Sequence, residues 1–326
     1  RQMCIRDSPM TAPAPVRPGL HVILGAGPVG RAVAAELRRH AGTRVRVASR
    51  SGRSVDGAGA FACDLSDPTQ AAEVCEGAET VTFAAAPAYT RWTQDFPALQ
   101  DAAIHAAGGA GAVLVSVENL YGYGRAGTLR EDNPLAATTR KGRVRAEMTR
   151  HLIAAHAAGE VRATMVRASD LFGPGMAVSA LGERVWPPLI AGKPVSWIGD
   201  PDAPHTFTYL ADFARALVRA GAEPAAWGRA WHAPSPPDRT PREIIAHAAS
   251  LIGRPEATIW PIPRLALTGL ALVSPLMREV AEMAYQFDTP FQMDAAAWAE
   301  SFGDMPTPWD DALRDTLTAW GTEVAA

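Results

Sequence analysis

The stretch Leu20-His-Val-Ile-Leu-Gly25-Ala-Gly27-Pro-Val-Gly30 decides the fold, because it joins an apolar strand candidate to the glycine pattern GxGxxG. Val29, Val33 and Leu37 then recur at every fourth residue, which is typical of one helix face. The three glycines allow a tight turn, a close approach of the backbone to a pyrophosphate, and close packing of helix on strand. The helix N-terminus offers its free N–H groups to phosphates. This context predicts a dinucleotide site at Gly25, Gly27, Pro28, Val29 and Gly30.

Outward from this loop, apolar strand patterns alternate with helical patterns. Further strand candidates are residues 44–48, a segment ending near Cys63, and residues 80–84, 112–116 and 161–166; helical patterns cover 95–107 and 138–158. Alternation at this pitch indicates βαβ units and a parallel sheet with helices on both faces. We therefore predict an α/β fold, a doubly wound parallel (Rossmann) sheet with a smaller, loop-rich C-terminal substrate domain.

The second half differs in composition, since prolines become frequent from Pro187 onward and most tryptophans lie there. We expect a disordered N-terminal tail over residues 1–18, whose first nine residues can be removed without changing the melting temperature. Residues 19–170 and 205–232 are expected to form the dinucleotide-binding domain. Residues 171–204 and 233–326 are expected to form the smaller substrate-side domain.

Composition narrows the class of protein. The net charge is -3 and the basic residues are scattered among acidic ones, which argues against nucleic acid as a partner. Three cysteines without a CxxC pair point to a reducing, cytoplasmic setting. The 13-residue apolar stretch 265–277 is bracketed by Arg264 and Arg278 and is too short to span a bilayer, so no membrane partner is expected. No histidine pair has a metal-ligand spacing, and no metal is predicted.

The end of the second strand indicates which dinucleotide binds. A carboxylate that holds the ribose 2′-hydroxyl is expected about 20 residues after the glycines, but Ser49 and Arg50 stand there and Arg53 follows. Guanidinium groups suit a 2′-phosphate, so NADP is favoured, with NAD possible. The alternative is that Arg50 is only a solvated loop residue. A flavin is disfavoured, since flavin monooxygenases with a similar GAGPVG loop resemble one another in having Glu at this position.

The chain resembles the extended short-chain dehydrogenase/reductase superfamily, also called the NAD-dependent epimerase/dehydratase family, over residues 20–253. The resemblance rests on five motifs in the family's order: Cys63-Asp64-Leu65, Phe83-Ala84-Ala85-Ala86, Ser116-Val-Glu-Asn-Leu-Tyr121-Gly122, Arg167-Ala-Ser-Asp170-Leu-Phe-Gly173-Pro174-Gly175 and His205-Thr-Phe-Thr-Tyr209-Leu-Ala-Asp212. It implies that Asp64 and Leu65 contact the adenine and that Ala84, Ala85 and Ala86 border the cofactor. It also implies that the loops at 167–175 and 205–212 lie on the substrate side.

The family's catalytic tetrad is degenerate, as in its atypical subgroups. Family members use a Ser or Thr, an Asn, and the Tyr and Lys of YxxxK, in which the lysine lowers the tyrosine pKa. Alignment on Glu147 puts Thr139 at the tyrosine position and Arg143 at the lysine position, where it can still donate to the nicotinamide ribose. Val117 occupies the serine position. The neighbouring Ser116 is a candidate for both catalysis and cofactor binding. Tyr121, Tyr123, Glu118 and Asn119 follow the fifth strand and are alternative reactive groups, although Tyr121 usually packs in this motif.

Two classes of function remain open. The first is an NADP(H)-dependent oxidoreductase or epimerase acting on a carbonyl or alcohol, with sugars and nucleotide sugars among the candidate substrates. Its catalytic candidates are Ser116, Tyr121, Thr139 and Arg143. The second is a non-catalytic NADP-binding redox sensor or scaffold, which the missing YxxxK allows. The recognisable substrate-side motifs favour the enzyme. A homodimer through the helix at 138–158 is a family expectation.

Overall fold

The computed structural model describes residues 14–55, 57–262 and 264–324. Its strands are β1 (Gly19–Leu24), β2 (Thr43–Ser49), β3 (Gly59–Ala62), β4 (Ala78–Phe83), β5 (Val113–Asn119), β6 (Gly127–Leu129), β7 (Arg162–Ala168), β8 (Asp170–Phe172), β9 (Val195–Ile198), β10 (Phe207–Tyr209), β11 (Ala230–His232), β12 (Ile259–Ile262) and β13 (Phe291–Met293). Its α-helices are α1 (Pro28–Leu37), α2 (Pro68–Cys75), α3 (Trp92–Gly109), α4 (Arg140–Ala157), α5 (Trp186–Ile190), α6 (Leu210–Ala222), α7 (Pro241–Leu251), α8 (Arg264–Val273), α9 (Pro275–Met283), α10 (Ala296–Phe302) and α11 (Trp309–Ala319).

Seven parallel strands form the central sheet in the order β3-β2-β1-β4-β5-β7-β11. Helices α1 and α6 cover one face, with Val33, Leu37 and Phe213 in the core. Helices α2, α3 and α4 cover the other face, with Ile104 and Leu152 in the core. The predicted doubly wound α/β fold is confirmed. Strand order reverses between β1 and β4, so a crevice is expected at the carboxyl ends of these two strands.

Three two-stranded parallel sheets, β8–β10, β9–β12 and β6–β13, lie outside the central sheet. A separate core holds Trp186, Trp197 and Tyr209 with helices α5, α7 and α11. These aromatic side chains are therefore packed in the interior.

The start of the chain is described from Ala14. Residues 1–13, which include Cys4 and the segment whose removal should not affect stability, lie outside the described residues. Within the expected tail, the Ala14 amide donates to Oε1 of Glu223 over 2.7 Å, and Val16 packs against the α1–α6 core. The division into two domains stays a prediction.

None of the described helices combines the length and apolar composition needed to cross a membrane. Within the same part of the chain, no group of three or more His, Cys, Asp or Glu side chains could hold a metal ion. Cys63 and Cys75 are free and buried.

Candidate functional site

The glycine loop between β1 and α1 leaves no room for side chains at two of its glycines. Gly25 has φ +119°, and a Cβ there would lie 2.7 Å from the amide nitrogen of Ala85. A Cβ on Gly30 would lie 2.0 Å from the carbonyl oxygen of Gly25. The loop is therefore pressed against the end of β4 on one side and against its own helix on the other, as the sequence requires of a dinucleotide loop.

Gly27 faces open space, since no atom lies within 4 Å of where its Cβ would be. It is also the N-cap of α1 and provides no side-chain hydrogen bond to the first turn, and Pro28 occupies that turn. The first amides of a helix have no partner within the helix. Gly27 therefore leaves an uncapped, partly positive helix end beside an open space, and this arrangement fits a pyrophosphate.

The ends of β2 and β3 adjoin this loop. The Gly25 amide donates to the Ala48 carbonyl over 2.8 Å, and the Cys63 amide donates to the Ser49 carbonyl over 3.0 Å. Arg50 is exposed and has neither a hydrogen bond nor an ion pair with any described residue. Hydrogen bonds from Ser66, with a contribution from the Arg50 charge, lower the pKa of the exposed Asp64. An exposed guanidinium without a hydrogen-bond partner among the described residues thus lies just after the end of β2.

The fourth strand completes the edge of the crevice. The Ala84 amide donates to the Leu24 carbonyl over 2.9 Å, and Ala86 is exposed at the end of this segment. The structure thus brings together the predicted cofactor residues that follow β1, β2, β3 and β4. Leu65 belongs to the same region and is buried.

Ser116 and Glu118 lie in the interior, beneath α4. Ser116 is fully buried in β5 and its hydroxyl lies 3.5 Å from Oε1 of Glu118. Glu118 forms an ion pair with Arg145, with 2.9 Å between Nη2 and Oε2 and both side chains at most 2% exposed. The same Arg145 nitrogen donates to the Val117 carbonyl over 2.9 Å. Nε and Nη1 of Arg145 are buried without a partner among the described residues.

Helix α4 does not orient the aligned motif as expected. Thr139 is its N-cap, and the threonine hydroxyl accepts a hydrogen bond from the Gly142 amide over 3.1 Å. Arg143 is exposed on the same stripe as Glu147 and Arg150 and donates to the Thr138 carbonyl over 2.8 Å. Residues spaced like these share one exposed face of the helix, and the contact of Arg143 with the nicotinamide ribose stays a prediction. Thr139 nevertheless lies beside the backbone of Tyr121, since a Cβ on Gly142 would be 2.7 Å from both the Thr139 hydroxyl oxygen and the Tyr121 carbonyl oxygen.

The inward face of α4 carries Lys141 and Arg145 instead. The Lys141 ammonium lies 4.3 Å from the centre of the Tyr89 ring and pairs with Glu279 and Glu282 of α9. Arg140 pairs with the same two carboxylates, each over 3.1 Å. Burial lowers the pKa of Lys141, and the nearby Glu282 charge opposes this effect. The buried Lys141 ammonium therefore lies beside Tyr89 at the N-terminal end of α4.

Tyr121 and Tyr89 place two hydroxyls together, 3.4 Å apart. The Asn119 side-chain oxygen accepts a hydrogen bond from the Tyr121 amide over 3.1 Å, which fixes the turn that follows β5. Burial raises the pKa of Tyr89 to about 12 and that of Tyr121 well above its ordinary value, and the Asp170 charge adds to both effects. Both phenols are therefore neutral hydrogen-bond donors at ordinary pH.

Asp170, the first residue of β8, lies near the tyrosine pair. Its Oδ2 lies 2.8 Å from Nε2 of His205, whose ring is stacked 5.1 Å from Phe287. The imidazole is buried, whereas the carboxylate is partly exposed. His205 therefore fixes the orientation of an acidic group close to the two tyrosines.

Tyr123 belongs to a different, interior network. Its hydroxyl lies 2.7 Å from Nε2 of His232 and accepts a hydrogen bond from Arg167. Burial raises the pKa of Tyr123 to about 12 and lowers the pKa of His232 to about 4. Of the alternative reactive groups, only Tyr121 lies in the cluster with Tyr89 and Asp170, whereas Tyr123 and Glu118 are enclosed.

Sequence reasoning assigned no role to Lys141, Arg145, Tyr89 or the α9 carboxylates. One signal was present, because Lys141 is one of only two lysines in a chain whose other basic side chains are arginines. The α9 residues lie almost 140 positions further along the chain than Lys141, and no local pattern links them.

Comparison with known proteins gives a consistent picture. Residues 21–231 match the model of the NAD dependent epimerase/dehydratase family. No curated protein sequence gives a significant match. The structure is similar to that of UDP-glucuronic acid 4-epimerase from Bacillus cereus in complex with NAD, with 14% identity over 92% of this chain and 98% of that one and a TM-score of 0.73.

Two further solved structures share the fold. One is UDP-glucose 4-epimerase from Thermotoga maritima with UDP-glucose, at 14% identity over 92% of this chain and 98% of that one and a TM-score of 0.75. The other is UDP-glucose 4-epimerase from Brucella ovis in complex with NAD, at 16% identity over 94% and 99% and a TM-score of 0.74.

Proposed function

The chain belongs to the NAD dependent epimerase/dehydratase family, and from that premise we propose that it is an NADP(H)-preferring oxidoreductase or epimerase. Its substrate is a small molecule with a carbonyl or alcohol carbon, of the sugar or nucleotide-sugar class. Support for the substrate class comes from the UDP-sugars named for the structural relatives.

The observation that carries the proposal is the geometry of the glycine loop. Neighbouring backbone occupies the space where a Cβ of Gly25 or Gly30 would lie. The corresponding space at Gly27 is open and adjoins an uncapped helix end. A turn that only joined a strand to a helix would have no need for this combination. Gly27, Pro28, Val29 and Gly30 would hold the pyrophosphate, with Ala84, Ala85 and Ala86 beside the nicotinamide half and Leu65 beside the adenine.

The preference for NADP(H) rests on Arg50. Its guanidinium is exposed and unpaired among the described residues, and Ser49 provides a hydroxyl next to it. A 2′-phosphate there would gain a charge-assisted hydrogen bond. The 2′-hydroxyl of NAD has no such charge, and Asp64 is already engaged by Ser66.

The bound nicotinamide would supply or accept a hydride. Tyr121 would hold the proton at the substrate oxygen, since burial keeps its hydroxyl protonated and Tyr89 lies within reach to relay the proton. Asp170, oriented by His205, would accept a hydrogen bond from a substrate hydroxyl. Lys141 provides positive charge next to this pair, and Ser116 supports Glu118 rather than touching substrate.

The test is a fluorescence titration of the full chain with NADPH and with NADH. We expect tighter binding of NADPH, and Arg50→Asp should remove most of this preference while leaving NADH binding almost unchanged. Gly27→Ala should abolish binding of both without changing the melting temperature, because its Cβ meets no protein atom. Gly109→Ala is the matched control, since a Cβ there also meets nothing within 4 Å. No binding of either dinucleotide would refute the proposal.

The same protein is then incubated with NADP+ and a panel of UDP- and dTDP-sugars. Formation of an epimer or of an oxidised sugar supports the enzyme. Tight NADPH binding without conversion of any carbonyl, alcohol or nucleotide sugar would instead support a non-catalytic sensor.

A further inference from the structure

Helices α8 and α9 form a hairpin whose two faces differ in chemistry. The two helices pack on each other, and α9 also contacts the short helix Tyr89–Arg91 near the candidate site. The inner face contributes Leu267, Met277 and Val280 to a small apolar core. The two carboxylates of α9, Glu279 and Glu282, also turn inward, towards Arg140 and Lys141. The inner face of the hairpin is thus fully used by the protein.

The outer face is apolar and exposed. Leu270, Leu272, Val273 and Leu276 surround the corner between the helices, with Leu272 78% and Val273 81% exposed. Trp260, on the strand that leads into α8, is exposed as well. Isolated exposed apolar residues are ordinary, but a cluster of this kind at one corner marks a contact surface.

The charged residues of this outer face are all basic. Arg264 and Arg278 are exposed on the hairpin, and every described acidic residue of α8 and α9 faces inward. Arg264 pairs with Asp288 outside the hairpin, whereas among the described residues the Arg278 guanidinium donates only to the Ala271 carbonyl, over 3.3 Å. The corner therefore combines aliphatic side chains with an uncompensated positive charge.

We propose that the α8–α9 corner docks on an anionic lipid surface, with Leu272, Val273 and Leu276 inserted at the headgroup–acyl boundary and Arg278 among the headgroups. Apolar residues flanked by arginine are what an interfacial element requires. A second copy of the chain is a less suitable partner, because in a two-fold dimer the corner of one copy packs against the same corner of the other. That contact would bury Arg278 without offering it an exposed acid of the hairpin as a partner. The proposal departs from the expectation of no membrane partner and does not depend on the proposed enzymatic function.

The test is co-sedimentation of the full chain with vesicles of phosphatidylcholine alone and of phosphatidylcholine mixed with phosphatidylglycerol. We expect binding to the mixed vesicles, and a reduction of more than about tenfold in L272E/V273E, since each glutamate replaces an inserted aliphatic side chain. Arg278→Glu should weaken binding to the mixed vesicles by about fivefold or more. The matched control is Val178→Glu, since Val178 is 91% exposed and apolar but lies outside the hairpin. It should bind as the parent chain does.

Circular dichroism melting of each variant shows that the exposed substitutions leave the fold intact. Three outcomes would overturn the proposal. One is that the parent chain does not sediment with the mixed vesicles. Another is that V178E and L272E/V273E lose binding equally. The third is that light scattering shows a dimer which L272E/V273E dissociates, without vesicle binding, so that the corner is an interface between copies of the chain.

Discussion

Lys141 and Arg145 lie four residues apart on the buried face of α4, whereas Thr139 and Arg143, at the same spacing, occupy its N-cap and its solvent face. Four residues make slightly more than one helical turn, so the members of each pair share one side of the helix. On the buried side of α4, two basic residues, Lys141 and Arg145, therefore have the four-residue spacing of the family's tyrosine and lysine. The proposed chemistry at this site therefore relies on Tyr121, which lies in the short helix Tyr121–Tyr123 after β5 and not on α4.

The first prediction concerns the buried ion pair. Arg145→Met leaves the Glu118 carboxylate buried without its cation, so the free energy of unfolding should fall by about 3–5 kcal/mol. Arg143→Met, two residues away on the exposed face, should change it by less than about 0.5 kcal/mol. Urea unfolding of the two variants measures the difference. Equal losses would mean that the inward register of α4 is wrong.

The second prediction separates the two tyrosines that follow β5. Tyr121→Phe should retain NADPH binding and stability but lower turnover of a converted sugar by about a hundredfold or more, because it removes the proposed proton donor. Tyr123→Phe should instead lower the free energy of unfolding by about 1–3 kcal/mol, since His232 and Arg167 lose a buried partner. Steady-state kinetics and thermal melting are run on both variants. Normal turnover in Tyr121→Phe would exclude the proposed role of this hydroxyl.

The third prediction tests Thr139 as a helix cap. Thr139→Ala removes the acceptor of the Gly142 amide and should destabilise the protein by about 1 kcal/mol. Thr139→Ser keeps the hydroxyl and should restore most of this stability. Loss of turnover in the alanine variant with an unchanged free energy of unfolding would return Thr139 to the proton relay suggested by the alignment.

The fourth prediction is a dependence of stability on pH. Burial lowers the pKa of His232 to about 4, whereas an unfolded chain protonates histidine near about 6.5. As the pH falls through this window, the unfolded state takes up a proton that the folded state does not. The free energy of unfolding should therefore decrease, by up to about 3 kcal/mol.

The control for this effect is a pair of histidine variants. His232→Gln should reduce the pH dependence between about pH 4 and 6.5 and leave the part that comes from His21, whose pKa burial also lowers. The exposed His105→Gln should keep the full dependence. Denaturant unfolding at a series of pH values provides the measurement. A pH profile for His232→Gln parallel to that of the parent chain would assign the effect to other groups.

The sequence by itself determined the central sheet and the glycine loop. Strand and helix periodicities extend over a few neighbouring residues, and the demands on Gly25 and Gly30 come from backbone close by in the chain or in the adjacent strand. For the same reason the strands and helices agree with the structure to within a few residues. The helix expected from residue 138 begins at Arg140, because Thr139 caps it.

Tertiary structure alone decided which residues of α4 and of the α8–α9 hairpin face inward. Helix α4 carries basic residues on several sides, so its sequence does not indicate the buried stripe. That stripe is set by Glu118 on β5 and by the carboxylates of α9, which are distant in the chain. The exposure of Leu272 and Val273 likewise depends on which apolar residues the rest of the protein covers. Such long-range packing cannot be predicted from the hydrophobic periodicity of a helix.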